Sequence, residues 1–439
     1  MVEEKKVVKF GGSSLASGAQ FVKVKGIVDA DEARRYVVPS APGKRSSSDH
    51  KITDLLYMCQ QLASHGLNFD EVFHLISDRY IGIRDELNLD VNIESILEQV
   101  KTRIRDGASK DYAASRGEYI NGILLAAYLD FPFVDAVEVI RFKDNGDFDE
   151  HTTEKLVHSI LGSVERAVVP GFYGAKVNGE IVTFSRGGSD ITGSILTNGI
   201  QASLYENYTD VSGFLMADPK LVDNPRPMDL VTYRELRELS YMGAPVLHEE
   251  AIFPVRKRGI PIQIKNTNEP DAPGTLIVHD QWNQVKEGTI TGISGKKDFT
   301  VISVEKTLMN NEHGFFRKLI SVFETNDVSI EHMPSSIDSI SVIVPDADLK
   351  GKQQKVIEEI KIYCNPDTIY SNPGMALLAV VGRGMVKTKG ISAKIFHALA
   401  SKGVNIRMIS QGSSEINIII GIENRDFEEA IKAIYEAFQ

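Results

Sequence analysis

Twice in this chain of 439 residues an apolar strand pattern runs into Gly-Gly-Ser and then into a helical pattern. The first instance is Val7-Val8-Lys9-Phe10-Gly11-Gly12-Ser13-Ser14, followed by Phe21, Val24, Ile27 and Val28 on one helical face. The second is Thr183-Phe184-Ser185-Arg186-Gly187-Gly188-Ser189-Asp190, with a helix predicted from Ile191. A strand, a small-residue loop and a helix point backbone N–H groups at one place, which suits a phosphate. Glycines let the backbone approach the anion, and hydroxyls add hydrogen bonds. Lys9 is placed to bring a point charge to the same anion; the alternative is a tight turn with Lys9 reaching solvent. Arg186 suits a carboxylate gripped by two parallel hydrogen bonds, while Asp190 reads equally as an N-cap. The spacing is neither a P-loop nor the dinucleotide fingerprint.

Between these loops, residues 36–38 read as a strand ending in Pro39-Ser40-Ala41-Pro42-Gly43-Lys44-Arg45. A helix follows from about Ile52, with Thr53 near its N-terminus, where an anion or polar group is favoured. Residues 68–130 read as helical, with Arg116-Gly117-Glu118-Tyr119 opening an apolar helix over 120–129 and Glu118 as its solvated first-turn carboxylate. Further strands are predicted at 134–140, 167–169, 204–208 and 261–265, and helices at 153–161, 233–241 and 246–257. Asn178-Gly179 signals a two-residue hairpin. Residues 209–220 are irregular and polar, suited to a nucleotide's base and ribose, although Asp218-Pro219 alone reads as a turn. The alternation predicts an α/β sheet with helices on both faces and ligand loops at the strand C-terminal ends.

From residue 289 the pattern becomes an internal repeat. The first unit reads strand 300–305, helix 314–326, strands 328–333 and 339–344, helix 353–363, strand 368–371. The second reads strand 376–381, helix 391–402, strands 404–409 and 415–420, helix 426–438. A βαββαβ unit is complete in the first and one strand short in the second. The surplus strand-like stretch at 289–293 is therefore expected to pair into the second unit's sheet, interlocking the two.

Bulk properties narrow the function. A net charge of −11 argues against a general nucleic-acid binder. Cys59 and Cys364 give neither a disulfide framework nor zinc spacing and fit a reducing cytoplasm. The N-terminal residues lack a signal-peptide core, and no apolar run is long enough to span a bilayer.

Lys-Phe-Gly-Gly-Ser-Ser at 9–14, Ser-Arg-Gly-Gly-Ser-Asp at 185–190, Tyr-Thr-Asp-Val-Ser-Gly at 208–213 and the two C-terminal repeats together resemble the monofunctional aspartokinases over essentially the whole chain. The resemblance implies a three-layer αβα amino-acid-kinase domain over 1–285 and two ferredoxin-like ACT modules over 286–373 and 374–439. It implies transfer of the γ-phosphoryl of ATP to the side-chain carboxylate of aspartate, the first step toward lysine, threonine and methionine. By motif, Lys9 and Asp190 are catalytic and Gly11, Gly12 and Ser13 bind phosphate. Ser40, Thr53, Glu118, Arg186, Gly187 and Ser189 bind aspartate, with Arg186 on a carboxylate and Glu118 on the α-amino group. Thr209, Asp210, Leu215 and Lys220 bind the nucleotide; Leu215 and Lys220 depart from the tyrosine and arginine of relatives, as does Pro245 from a lysine. Mg²⁺ is expected on the ATP phosphates, since no carboxylates cluster at metal spacing.

An end-product amino acid is the expected effector, at Met309, His313, Gly314, Phe315, Ser335, Ser336, Ile337 and Asp338. Asp338 favours lysine, with threonine next, and a homodimer or larger homo-oligomer through the ACT modules is implied. A kinase of the same fold with another substrate, and a degenerate amino-acid sensor, are the alternatives. Glu118 paired with Arg186 argues against the first, and intact Lys9 and Asp190 against the second.

Overall fold

In the computed structural model, which describes residues 4–185, 187–244, 249–282 and 290–439, the Val7–Phe10 pattern forms the middle of a sheet. Two compact units divide the chain. One holds Met1–Phe214, Pro227–Leu236 and Val246–Trp282; the other holds Leu215–Arg226, Arg237–Pro245 and Asn283–Gln439.

The strands of the first unit are β1 (Lys6–Phe10), β2 (Arg34–Pro39), β3 (Ala167–Val168), β4 (Tyr173–Ala175), β5 (Ile181–Thr183), β6 (Leu204–Thr209), β7 (Leu230–Thr232), β8 (Ile262–Asn266) and β9 (Thr275–Val278). Seven of them form one sheet in the order β3-β2-β1-β6-β8-β9-β7, parallel except for the β8–β9 pair. Val7, Val8, Phe10 and Val37 are fully buried, as expected of strands covered on both faces. The helices Gly18–Asp29, Ile52–Ser64, Asp70–Glu86, Ile93–Arg105 and Lys110–Leu129 share a core with β1 and β2.

Three local expectations are corrected. Residues 134–140 do not form a strand: Asp135 caps a short helix, Ala136–Val139, and Glu138 reaches back to the Asp135 N–H in a capping box. Glu118 does not open a helix. Ser109 accepts from the Tyr112 N–H and starts the helix Lys110–Leu129, which continues through Gly117 and leaves Glu118 buried in mid-helix. The β4–β5 hairpin forms, but its turn is longer than two residues: Gly179 N donates to Lys176 O, and Lys176 N donates to Glu180 O. This is a turn with Gly179 at φ 85°.

The second unit is one sheet of β10 (Gly292–Glu305), β11 (Ser339–Pro345), β12 (Thr368–Val381), β13 (Met408–Ser410) and β14 (Asn417–Glu423), in the order β11-β10-β12-β14-β13. β10 and β12 pair antiparallel from Gly292–Val381 to Glu305–Thr368, with a bulge after Lys296. The stretch expected to interlock the repeats therefore does so, as the first half of one long strand. Thr291 N donates to Val381 O, while Thr289 lies outside the described residues. Beneath one half of the sheet, Ile302, Val304, Ile340 and Val342 pack on the helices Phe315–Thr325 and Gln353–Cys364. Beneath the other, Ile293, Leu378, Val380 and Ile420 pack on Ile391–Ser401 and Phe427–Ala437.

Ala217 and Val222 lie in this second core, Ile293 N donates to Met216 O, and Arg226 N donates to the Tyr435 hydroxyl. The 328–333 strand is reduced to isolated bridges at His332 and Ser335, because Pro334 between them has no N–H to donate. The 404–409 strand shrinks to β13.

Candidate active site

Lys9 sits on β1, an interior strand, with its register partner Asn207 directly opposite on the central strand β6. Its ammonium lies 2.5 Å from Asp190 Oδ1 and donates to Asn207 Oδ1 at 3.3 Å. Asn207 Nδ2 in turn donates to Asp190 Oδ1 at 2.9 Å. Asp190 is not the N-cap; Gly187 is, in the left-handed region, and Asp190 lies in the first turn of the helix Gly188–Gly199. Lys9 is 7 % exposed, so a charge at its tip acts in a largely dry setting where electrostatic effects are strong.

Two loops touch beside this pair. Gly11 N donates to Tyr208 O, and Gly43 N donates to Gly12 O at 2.7 Å. A Cβ on Gly12 would lie 2.9 Å from Ala41 O, and one on Gly43 2.6 Å from the Gly12 carbonyl carbon. Only glycine at both positions permits this approach. Ser13 and Ser14 start a short 3-10 turn, with the Ser14 hydroxyl 2.7 Å from that of Thr267. Ser40 is held at both ends of its peptide: its N–H donates to Phe10 O, and its carbonyl accepts from Asn121 Nδ2.

Glu118 is buried on the helix facing this loop. Burial pushes its carboxyl up to about 8, against the lowering effects of backbone hydrogen bonds at Ala41 and Glu118 and of the Arg116 charge. Its Oε2, and Oδ1 of Asn121 one turn later, are buried with no hydrogen-bond partner. The helix start that carries Thr53 packs close by, since a Cβ on Gly117 would meet Ala41, Leu56 and Ile52. Ser189 is buried where its Cβ approaches Gly171.

Lys9, Asp190, Gly11, Gly12, Ser40 and Glu118 are thus linked by direct contacts or through Ala41, Gly43 and Asn121. Thr209 ends β6 and Asp210 follows it, the Thr209 hydroxyl donating to Asp210 Oδ1 at 3.1 Å. Leu215 and Lys220 lie in the stretch that groups with the second unit. Arg186 and Pro245 lie outside the described residues.

Sequence reading missed Asn207 and Asn121. Each is a buried amide, Asn207 in a strand and Asn121 in a helix. Asn121 between Ile120 and Gly122-Ile123 offered a signal, whereas Asn207, between Glu206 and Tyr208, offered none.

In the second unit, His313, Gly314, Ser335, Ser336, Ile337 and Asp338 are exposed, whereas Met309 and Phe315 are each 2 % exposed and belong to the core. Gly314 caps the helix Phe315–Thr325 in the left-handed region. Asp338 O accepts from Lys306 N, and Ser336 N donates to Ser339 O.

Among the described residues, no group of three His, Cys, Asp or Glu side chains is gathered to hold a metal, and no helix is long and apolar enough to cross a membrane.

The model of the amino acid kinase family matches residues 4–266, and an ACT domain model matches residues 378–438. The chain is 40% identical to Aspartokinase 3 of Bacillus subtilis over 449 residues, covering 99% of this chain and 98% of that one. The crystal structure of an allosteric aspartate kinase from Clostridium acetobutylicum matches with a TM-score of 0.92 and 58% identity over 100% of both chains. Aspartokinase III of E. coli, solved with aspartate and ADP, has the same fold at a TM-score of 0.73 and 24% identity, covering 99% of each chain.

Proposed function

The chain belongs to the aspartokinase family, and on that premise we propose how its residues move the γ-phosphoryl of ATP to the side-chain carboxylate of aspartate. The enzyme is a feedback-regulated phosphotransferase with a carboxylate acceptor.

The observation that carries the acceptor assignment is the pair of unpartnered acceptors Glu118 Oε2 and Asn121 Oδ1. Buried acceptors without donors are costly, and an ammonium supplies three donors. A free amino acid fits this better than an N-acylated one. The α-ammonium of aspartate sits against these atoms, with Ser40, Thr53, Gly187 and Ser189 around it. Arg186 grips a substrate carboxylate, a role resting on its motif.

Phosphoryl transfer demands positioning and charge stabilisation more than covalent help from the protein. The attacking carboxylate is already ionised near neutral pH, so no general base is required. Lys9 offsets charge on the transferred phosphoryl, Asp190 and Asn207 hold its ammonium in place, and the Gly11–Gly12–Ser13 backbone lines the phosphate. Mg²⁺ brought in with ATP would neutralise phosphate charge; among the described residues no group of three His, Cys, Asp or Glu side chains is gathered to hold it apart from the nucleotide. Thr209 and Asp210 contact the nucleotide, as do Leu215 and Lys220 by motif.

By motif the kinase part is assigned to 1–285 and the two interlocked regulatory modules to 286–373 and 374–439, with 215–226 and 237–245 grouping with the regulatory unit. The modules also assemble the chain into a homodimer or larger homo-oligomer. Lysine is the favoured effector, at the exposed segments around Gly314 and Ser335–Asp338.

A coupled ADP-release assay with aspartate, glutamate and N-acetylaspartate tests this reading. Turnover with aspartate alone is expected. Equal turnover of N-acetylaspartate would refute the ammonium site.

A further inference from the structure

The helix Asp70–Glu86 carries no residue that the motifs assign, yet one turn of it reaches the site from behind. Arg79 is 5 % exposed. Its Nη1 donates to Gly43 O at 2.8 Å and its Nη2 to Asp49 Oδ2 at 2.5 Å. The next residue, Tyr80, donates its hydroxyl to Gly117 O at 2.7 Å, directly before Glu118.

Asp49 is the other end of the bracket. Its Oδ2 also accepts from Arg45 N and Arg45 Nε, and its Oδ1 from His50 N. Burial acts to raise the Asp49 carboxyl, but the Arg45 and His50 hydrogen bonds and the Arg79 charge outweigh it and hold it well below the usual carboxylate range. Asp49 therefore carries its charge at neutral pH. Arg45 and Lys44 themselves point to the surface.

The Gly43 residue is the link. Its carbonyl accepts from Arg79 while its N–H donates to Gly12 O. Glycine at Gly12 and Gly43 allows backbone-to-backbone contact, so the two loops have little slack between them. A buried ion pair is a weak source of stability, since apolar replacements are often neutral or better. It does impose a fixed geometry, because a guanidinium fork addresses two acceptors at set positions.

We infer that Arg79 is a positioning residue for phosphoryl transfer: with Asp49 it clamps the Gly43–Asp49 loop so that Gly43 fixes the Gly12 peptide in the phosphate loop. This rests on the reading of Gly12 and Lys9 as the phosphoryl site. A displacement of about 1 Å in such a loop is enough for large rate losses.

The test uses the full chain with Arg79→Gln, Arg79→Lys and Asp49→Asn, measuring kcat, the KM of ATP, thermal unfolding and amide hydrogen exchange. At temperatures well below unfolding, Arg79→Gln and Asp49→Asn should each lower kcat about tenfold or more, with the KM of ATP within about threefold. Arg79→Lys keeps the charge but not the fork. It should recover most of the thermal stability and less than about a third of kcat. In Arg79→Gln, exchange should rise together at 43–49 and at 12–15.

The inference is overturned if kcat per folded molecule is unchanged in Arg79→Gln, or if kcat and unfolding temperature recover in step in Arg79→Lys. It is equally overturned if 43–49 loosen while 12–15 exchange as in the parent. If the parent protein turns over no aspartate, the site reading fails instead, and the exchange result alone decides whether the clamp exists.

Discussion

The region around Lys9 and the region around Gly314 are built on opposite terms. In the first, buried cations are matched to part-buried carboxylates: Lys9 with Asp190, steadied by the amide of Asn207, and Arg79 with Asp49. Loop backbones touch through glycines chosen for close approach. In the second, six of the eight residues expected at the effector site are exposed, Ile337 at 67 %, and the other two pack the core. A transition state is stabilised by dipoles and charges that need no rearrangement, so the first region is built in advance. A surface read as an effector site has to be open to a ligand, and this one is.

Most severe should be the loss caused by dividing the second unit. Residues 374–439 alone would lack β10 and the first part of β12, and with them Ile290, Ile293, Ala217 and Val222 of the shared core. Such a fragment should show no cooperative thermal unfolding, whereas independent folding would mean that the interlock is dispensable.

Next come paired glycine changes, which contrast the two regions directly. Gly43→Ala places a Cβ 2.6 Å from the Gly12 backbone and should lower kcat about tenfold or more. Gly314→Ala meets nothing within 4 Å and costs only its positive-φ strain, about 1 kcal/mol in thermal stability, with kcat retained. Equal losses of activity would erase the contrast.

The pH dependence of aspartate binding is a finer probe. In the free site the Glu118 carboxyl keeps its proton up to about pH 8. A neutral carboxyl offers no charge to an ammonium, so binding below that pH must release the proton. The KM of aspartate should therefore fall as pH rises from 6 to 8, by up to about tenfold per unit. Glu118→Gln should flatten the profile. A flat profile in the parent would remove Glu118 from the ammonium.

Smallest is the effect at the surface. Asp338 is exposed, and a solvated ion pair contributes about 1 kcal/mol or less. Asp338→Ala should thus raise the half-inhibitory lysine concentration only several-fold. No change in an inhibition titration would separate Asp338 from the effector.

The strand–loop–helix from Val7 was legible because a short continuous apolar run into Gly-Gly-Ser is a local signal, and the interlock at 290–293 because a repeat one strand short shows in the count of its elements. The partners of Lys9 were less so. Asn207 meets it through parallel register 198 positions away, and nothing in either segment specifies that register. Glu118 was placed in solvent because Gly117 reads as a break. The Ser109 cap and the packing of Gly117 on Ala41 override that local signal. In the sequence Arg79 is one charge among many in the helical pattern of 68–130; only the folded loop shows the carbonyl it serves.

The preformed charge at Lys9 is tested most directly by steady-state kinetics of Lys9→Ala with ATP and aspartate. A group that stabilises charge developing in the transition state acts on kcat, so kcat should drop about 10²-fold or more while the KM of aspartate stays within about threefold. A retained kcat with a raised KM would contradict the account.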